Sequence, residues 1–571
     1  MKQSRRNIFK FAGGAVAGAF FTPAPWRLIT DTALWSESWP GIPRPVRGDV
    51  TAKFTNCGLC SAGCAIRARC VNGQPVSLAG LGGGLCPFGL TAHHLPFHPA
   101  RLTQGPVEEA TAAVKARGTA GLAILDLNPG RTASWTYRRA MASLKGSYLA
   151  TADPVAYDLS SVRTVLSIGT PLLDGWGTPS KVFPARRNFR LIQAEALESR
   201  TAVMADQWIP LAPGTERIYA QQVLATLRGR DTSPVAAQLK ANGPSVVIGD
   251  APEVAEINRL LGAWGKSVVA RAEAPAPDSW RKEAAPVTAL DTLPEGSVRT
   301  LLIDESAAAS YIPWDRIAPK LTADALVVTF AATKGGYVRH ATYALPIAIY
   351  PEFMDDLGPA ADSADPAWRI SAPLVPPPAA VANLAEFAGA LAGISASNTL
   401  RERAGAIHKA GLGTLTNYAT GNETALKEVA AEDFWKVLSE GGAWQNVAAK
   451  RNPPEISTAP LVPAVVGAAP DLPLLAIREP AQPALVSPLM TKLYQESNLR
   501  LAPNRVALHP DEARAANLRD GARAILYTHA GRCAVQVTVD SAVPPGSVYV
   551  GSSPGIQDIC SPAAHAKVVP A

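Results

Sequence analysis

The sequence is short of charge. Asp, Glu, Lys and Arg make up 18% of its 571 residues, against about 25% in an ordinary soluble chain. Its surplus of positive charge is also local. Five of the 54 Lys and Arg residues (Lys2, Arg5, Arg6, Lys10 and Arg27) fall in the first thirty positions, which hold none of the 47 Asp and Glu residues. The rest is close to neutral, which argues against a phosphate-tracking surface and hence against nucleic acid as a partner. The apolar stretch FAGGAVAGAFF (Phe11 to Phe21) ends at Thr22, Pro23 and Pro25 after eleven residues, where about 20 are needed to cross a bilayer. The eight histidines form no H-E-x-x-H pair, seven cysteines do not make an even disulfide framework, and no internal repeat is visible.

What is present begins with that N-terminal segment. SRRNIFK (Ser4 to Lys10) places paired arginines ahead of the short apolar stretch, which is the pattern of a twin-arginine targeting signal. No A-x-A-type cleavage site follows, so the peptide can stay attached as an anchor lying against the membrane. Trp26, Trp35 and Trp39 stand close behind it and suit a membrane or subunit interface, or plain packing.

Five of the seven cysteines fall within 30 residues. Cys57, Cys60, Cys64 and Cys86 have the spacing C-x2-C-x3-C-x21-C. Three thiolates on one tight loop and a fourth returning from a distance suit a cubane [4Fe-4S] cluster. Structural zinc uses the same donors, and disulfide pairing after export is the third possibility. Ser61 stands where covalent haem attachment through C-x-x-C-H would need histidine. Cys70 has no place in the spacing and reads as a buried apolar thiol. Gly80, Gly82, Gly83 and Gly84 fail the G-x-G-x-x-G pattern, because Leu85 takes the last glycine position; they serve instead to fold the chain tightly back to Cys86. His93 and His94 read as packing or solvent-facing residues.

Beyond residue 120, short β-branched runs alternate with longer helical stretches. The runs are 121–127, 162–169, 189–195, 245–250, 267–273, 298–305 and 325–333, and ERIYAQQVLATLRGR (216–230) is a typical helical partner. This alternation predicts parallel α/β units with ligand loops at the strand C-termini. Proline, 50 of 571 residues against about 5% usually, concentrates at 373–378 and 453–473, as candidate linkers or crossings. Residues 484–571 read as β-rich, with a hairpin around Ala530-Gly531 in ARAILYTHAGRCAVQVTVD (522–540).

Taken in order, these parts resemble the molybdopterin oxidoreductase superfamily. HPARL (98–102), FRLIQAEALESRTAVMADQWIPLAPGTE (189–216), HATYALP (340–346) and the segment 508–550 are similar to its cluster-domain end, second lobe, A-D-x-x-L-P element and dinucleotide-binding barrel. The resemblance implies an α/β fold of molybdopterin oxidoreductase-like lobes, an N-terminal iron–sulfur domain and a C-terminal double-psi-type β-barrel. The expected division is 1–30 signal or anchor, 31–105 iron–sulfur domain, 106–380 α/β lobes, 381–480 helical and Pro-rich connection, and 481–571 barrel. Glu195, Asp206 and Glu216 match family positions near a guanine nucleotide, although an acidic loop is usually only solvated.

The departures from that family share a direction. Phe88 replaces the Lys or Arg that follows the fourth cysteine in catalytic members, and no cysteine lies between Cys86 and Cys533 to bind molybdenum. After Leu345-Pro346 the pterin-lining run survives only at Glu352. Segments 25–44, 169–179, YPEFMDD (350–356), PLVPPP (373–378) and SPLMTKLYQESNLR (487–500) resemble the molybdopterin-oxidoreductase-like subunits of menaquinone reductase complexes and alternative complex III. That branch implies a molybdenum-free electron-transfer and scaffold subunit on the periplasmic face of the cytoplasmic membrane. Its implied partners are a ferredoxin-like iron–sulfur subunit, a multihaem cytochrome c and a quinone-binding integral membrane subunit. A catalytic molybdenum or tungsten bis-pterin oxidoreductase is the alternative.

Overall fold

The computed structural model of the chain describes residues 5–21, 48–150, 154–306, 312–377, 381–456, 469–478, 504–551 and 554–571, apart from 83, 99, 171, 174, 313, 335, 558 and 561–563. Trp26, Trp35 and Trp39, most of the Pro-rich 453–473 stretch and the 487–500 segment lie outside the described residues. Two compact units partition the chain, residues 1–51 with 70–74, and residues 52–69 with 75–571.

The first unit contains helix α1 (Arg5–Phe21), which holds the apolar stretch of the targeting pattern and exposes residues 9–18 to solvent. It also contains the Asn72-Gly73 turn, with φ of 48° and 78°, the double positive φ of a type I′ hairpin turn. Asn72 closes on Asp49 through its amide, 3.1 Å from the Asp49 carbonyl.

The cysteine segment is framed by a three-stranded sheet of β1 (Val50–Asn56), β2 (Ala65–Val71) and β3 (Gln74–Gly80). Helix α2 (Val107–Arg117) then leads into a six-stranded sheet, all of whose neighbours are parallel. Its order is β12 (Val287–Thr288), β5 (Ser147–Ala150), β4 (Leu122–Asp126), β13 (Val298–Asp304), β14 (Leu321–Ala331) and β15 (Tyr343–Pro346). The β4 residues are buried throughout, as expected of a parallel strand covered on both faces. Helix α3 (Thr132–Leu144) crosses from β4 to β5. Because the chain moves outward to β5 on one side of β4 and to β14 and β15 on the other side of β13, the strand order reverses between β4 and β13. That crevice is where open α/β sheets hold ligands.

A second parallel sheet, β10 (Ser245–Ile248), β7 (Thr164–Ile168), β8 (Arg190–Glu195) and β9 (Gln207–Pro210), packs on both faces. Leu166, Ile168 and Ile192 meet helices α4 (Glu216–Leu227), α5 (Pro234–Ala241) and α6 (Glu253–Leu260) on one side, while Val165, Leu191 and Val246 face the other core. The 267–273 run supplies β11 (Val268–Ala270), which pairs with β6 (Val155–Tyr157) in an antiparallel ribbon outside this sheet.

Residues 355–445 build a five-stranded sheet from β16 (Asp355–Asp356), β17 (Ala367–Ser371), β20 (Ala443–Gln445), β18 (Thr414–Thr416) and β19 (Glu423–Ala425). Chain on either side of position 380 therefore shares one sheet. Helices α7 (Leu384–Ala392), α8 (Thr399–Ala410) and α9 (Ala431–Ser439) lie within the same stretch, and Trp368, Trp444, Ile407 and Phe434 form its core.

The C-terminal part closes into a barrel of order β21 (Leu474–Arg478), β25 (Ser547–Val550), β22 (Arg505–Leu508), β24 (Gly531–Val539), β23 (Arg523–Thr528) and β26 (His565–Pro570). Strands β23 and β24 form the hairpin read from the sequence, with Thr528 opposite Gly531 across a two-residue turn. Leu508, Leu526, Val537 and Val568 fill the interior. Leu526 is 0% exposed, so Leu526→Ala should cost the barrel about 2–5 kcal/mol, seen as faster native-state hydrogen exchange in β22–β26 with no comparable change in the parallel sheets.

Candidate functional site

The cysteine loop starts from a residue fixed by distant chain. Asn56, fully buried, ends β1 and donates from Nδ2 to the carbonyls of Ile370 at 2.9 Å and of Gly441 and Gly442 at 3.2 Å. Its Oδ1 accepts from the Tyr418 hydroxyl at 3.0 Å. The following loop closes on itself, the Cys57 amide donating to the Cys64 carbonyl at 2.8 Å and the Gly63 amide to the Cys60 carbonyl at 3.3 Å. Gly63 has φ +55°, and a Cβ there would stand 2.7 Å from Leu357 Cδ1. Arg369 braces the same turn through Nη1, 3.2 Å from the Ala62 carbonyl.

The thiols interact electrostatically. Burial pushes the Cys57 thiol far above its ordinary range, and charge on Cys60, Cys64 and Cys86 pushes it further, while the Leu59 backbone N–H favours the thiolate. Cys60 is raised by burial and by Cys86, against the N–H groups of Ala62 and Gly63. Cys64 is pushed up to about 12 by burial, Cys60 and Cys86, with Arg369 opposing. All four sulfurs named from the spacing are thus brought within electrostatic reach of one another. Cys57 is buried, Cys60 and Cys64 are half-buried, and Cys86 is exposed. Among the described residues, no cysteine is disulfide-bonded and no three His, Cys, Asp or Glu side chains are arranged around a point that could hold a single metal ion. Burial thus favours the protonated thiol at Cys57, Cys60 and Cys64, and ionising one would raise the cost of ionising the next.

The glycines ahead of Cys86 fold the chain as anticipated. A Cβ on Gly80 would lie 2.6 Å from the Gly84 backbone, so the chain can double back only without one. Cys70 is buried at 0% exposure. His93 is lowered to about 4 by burial and by His94, whose ring lies 3.9 Å away. Glu352 forms a buried ion pair with Arg101. Asp206 accepts from the Leu191 amide at 2.7 Å and pairs with Arg186 at 3.0 Å. Glu195 accepts from Gln193 Nε2 at 2.9 Å and from the Ser199 amide at 3.1 Å, and Glu216 is raised by burial and by Glu195.

The strongest charge cluster has no counterpart in the sequence reading. Asp126 and Asp304 are register partners at the C-terminal ends of β4 and β13, in the crevice where strand order reverses. Arg131, 1% exposed, reaches Asp304 and Asp355 at 2.6 Å each and lies 3.9 Å from Asp126. Asp126 accepts from Ser134 Oγ at 2.6 Å and the Tyr148 hydroxyl at 2.8 Å; Asp304 accepts from the Tyr137 hydroxyl at 2.7 Å. Asp356 pairs with Arg403 at 2.9 Å and accepts from the Thr132 amide and Trp368 Nε1, both at 2.7 Å. Four carboxyls thus share two guanidiniums, and full ionisation would bury an uncompensated negative charge. Asp304 is lowered despite burial, through Arg131 and the donors on Ser306 and Tyr137. Asp126 is raised by burial and Asp304, and Asp355 is pushed up to about 7 by burial, Asp356 and Asp304, against Arg131. The one signal available in the sequence was position: LAILD and LLID each end in an aspartate at a strand terminus.

Two cavities adjoin the cysteine loop. One of about 50 Å³ is lined by Gly63, Cys64, Thr178, Arg369 and Tyr418. The other, about 20 Å³, lies against Gly58, Asn128, Tyr350, Asp355 and Ser371.

Comparison with known proteins agrees with this architecture. Residues 489–568, which include most of the barrel, match the molydopterin dinucleotide binding domain. Over 270 residues the chain is 29% identical to the menaquinone reductase, molybdopterin-binding-like subunit of Nitratidesulfovibrio vulgaris strain Hildenborough, a stretch covering 38% of this chain and 39% of that protein. Acetylene hydratase from Pelobacter acetylenicus has the same fold, with a TM-score of 0.65 at 12% identity, covering 91% of this chain and all of that one.

The raised Asp355 predicts a pH dependence of stability. The native state binds its proton up to pH about 7, whereas the carboxyl's ordinary value is 3.8, so this residue's contribution falls as pH rises through that window. In urea unfolding, Asp355→Asn should gain on the wild type, on the order of 1–3 kcal/mol, between pH about 4 and 7.

Proposed function

We propose that this chain, a relative of the molybdopterin oxidoreductases, is an iron–sulfur electron-transfer and scaffold subunit of a membrane-associated quinone oxidoreductase complex. One [4Fe-4S] cluster would be held by Cys57, Cys60, Cys64 and Cys86. The observation that carries the reading is the gathering of four cysteines within electrostatic reach of one another in a chain similar to a menaquinone reductase subunit.

The residues fit the cluster chemically. Four cysteines supply its usual donor set, and backbone N–H groups aimed at the sulfurs stabilise their charge. The cluster would supply one-electron storage. The chain's own part is mechanical and electrostatic. Asn56 fixes where the loop begins, Arg369 offsets negative charge at Cys64, and the partly exposed Cys60, Cys64 and Cys86 leave a side open to a neighbouring redox centre.

Loss of the molybdenum site is part of the proposal. Phe88 stands where catalytic relatives place a cation, and no cysteine follows until Cys533. At the strand-order reversal, the described crevice is crossed by Arg131 and its carboxylates, beside a cavity of about 20 Å³, room for about one water. Export by the twin-arginine route, to the periplasmic face of the cytoplasmic membrane, fits the paired arginines that open helix α1. No helix of the described residues is long and apolar enough to cross a membrane. A membrane-embedded quinone-binding subunit, a multihaem cytochrome c and a ferredoxin-like iron–sulfur protein would then complete the electron path. A pterin-bearing catalytic chain is the second reading, favoured by the dinucleotide-binding domain at 489–568.

Metal analysis separates the two. The anaerobically purified full-length chain should carry about four iron atoms, no molybdenum, and a low-temperature EPR signal on reduction. Cys57→Ser should lower the iron content severalfold. Molybdenum at one per chain would sink the preferred reading and establish the second.

A further inference from the structure

The cavity of about 20 Å³ touches two sites that the sequence keeps apart. Gly58, inside the cysteine loop, forms one wall, and Asp355, from the buried carboxylate cluster, forms another. Gly58 sits so close that a Cβ would stand 3.0 Å from Tyr350 Cβ and 3.2 Å from Ser371 Oγ. Both neighbours bring a hydroxyl. The Tyr350 hydroxyl and Ser371 Oγ are buried and have no hydrogen-bond partner among the described residues. Tyr350 is 5% exposed and Ser371 3%. Leaving two such groups unpaired would cost about 1–3 kcal/mol each. A water needs two to four polar partners and roughly 10–15 Å³ of free volume, and the cavity offers both.

We propose that this cavity holds one water bound by the Tyr350 hydroxyl, Ser371 Oγ and Asp355, and that Asp355 takes up one proton from solvent when the four-cysteine centre gains one electron. The inference rests on the iron–sulfur reading above. The balance is simple: a one-electron donor reduces the centre, a solvent proton converts the Asp355 carboxylate to the acid, and oxidation reverses both. No other bond is made or broken.

Asp355 is singled out by its surroundings. Its carboxylate faces Arg131 at 2.6 Å, with Asp304 and Ser306 beyond that guanidinium, Asp356 next in the chain, and Tyr350 across the cavity. Asp304 is committed to Arg131 and Tyr137. Asp356 also lines the cavity but is fully buried and held by Arg403, Thr132 and Trp368, and Asp126 is fully buried away from the cavity wall. The Asp355 side chain alone in this cluster retains a solvent-exposed portion, 19% against 2% or less for the others, so protons can reach it. Asp355 lines the cavity that Gly58 of the cysteine loop also lines, so negative charge added to that loop raises its proton affinity, and burial already holds its carboxyl up to about 7.

The test is a redox titration of the full chain at a series of pH values, followed by EPR. Above pH about 7 the reduction equilibrium should shift tenfold per pH unit, about 59 mV for one electron. Asp355→Asn should flatten this dependence and Asp355→Glu should retain it. Redox-difference infrared spectra should show a carboxylic acid C=O band gained on reduction, shifted in Asp355→Glu and missing from Asp355→Asn. If Asp355→Asn does not fold, the shift in Asp355→Glu decides the assignment. A flat potential in iron-bearing wild type, a slope that survives in Asp355→Asn, or an infrared band unmoved in Asp355→Glu overturns the proposal alone. A chain without iron overturns the proposed function, and this inference with it.

Discussion

Arg131 holds its guanidinium 2.6 Å from both Asp304 and Asp355, out of contact with solvent, at the point where two halves of the six-stranded sheet diverge. Its neighbours arrive from unrelated parts of the chain: Asp304 ends β13, Asp355 opens β16, and Arg131 itself immediately precedes α3. Withdrawing these charges from water is expensive, and a well-packed apolar replacement is often as stable. What the ion cluster provides is fixed geometry at the crevice between β4 and β13. With four carboxyls to two guanidiniums, it also keeps a negative surplus that only protons can relieve.

The cysteine loop poses the same problem with different chemistry. Its thiols lie within electrostatic reach of one another, and each ionisation makes the next harder. Burial favours the protonated thiol at Cys57, Cys60 and Cys64. The loop is held by contacts that involve no cysteine side chain: Asn56 clasped by the backbones of 370, 441 and 442, and Arg369 against Ala62. The cysteine loop, through Gly58, and the carboxylate cluster, through Asp355 and Asp356, thus line one small cavity.

Much of the fold could be read in the sequence because buried parallel strands appear as unbroken apolar runs. The runs at 121–127, 162–169, 189–195, 245–250 and 298–305 each contain an observed strand, 325–333 overlaps one that begins at Leu321, and the barrel hairpin has its turn one residue ahead of the Ala530-Gly531 pair. The sheet formed by 355–445 escaped that reading because strands of two to five residues are too short to show a period. The cysteine group was legible because its four members fall within 30 residues of the sequence. Asn56 was not, since its partners lie more than 300 residues away. Asp126, Arg131, Asp304, Asp355, Asp356 and Arg403 likewise meet only through tertiary folding, and no local pattern joins them.

Strand β16 contains only Asp355 and Asp356, set opposite Ser371 and Ile370 of β17. Adjacent residues on a strand point to opposite faces, which is why one aspartate meets Arg131 and the next meets Arg403. Sliding this pair by a single position would exchange the two partners. The length of chain between Pro346, which ends β15, and Asp355 therefore works as a spacer with a fixed count. A relative with one residue inserted or deleted there would keep all six charged side chains in its sequence and still lose their wiring.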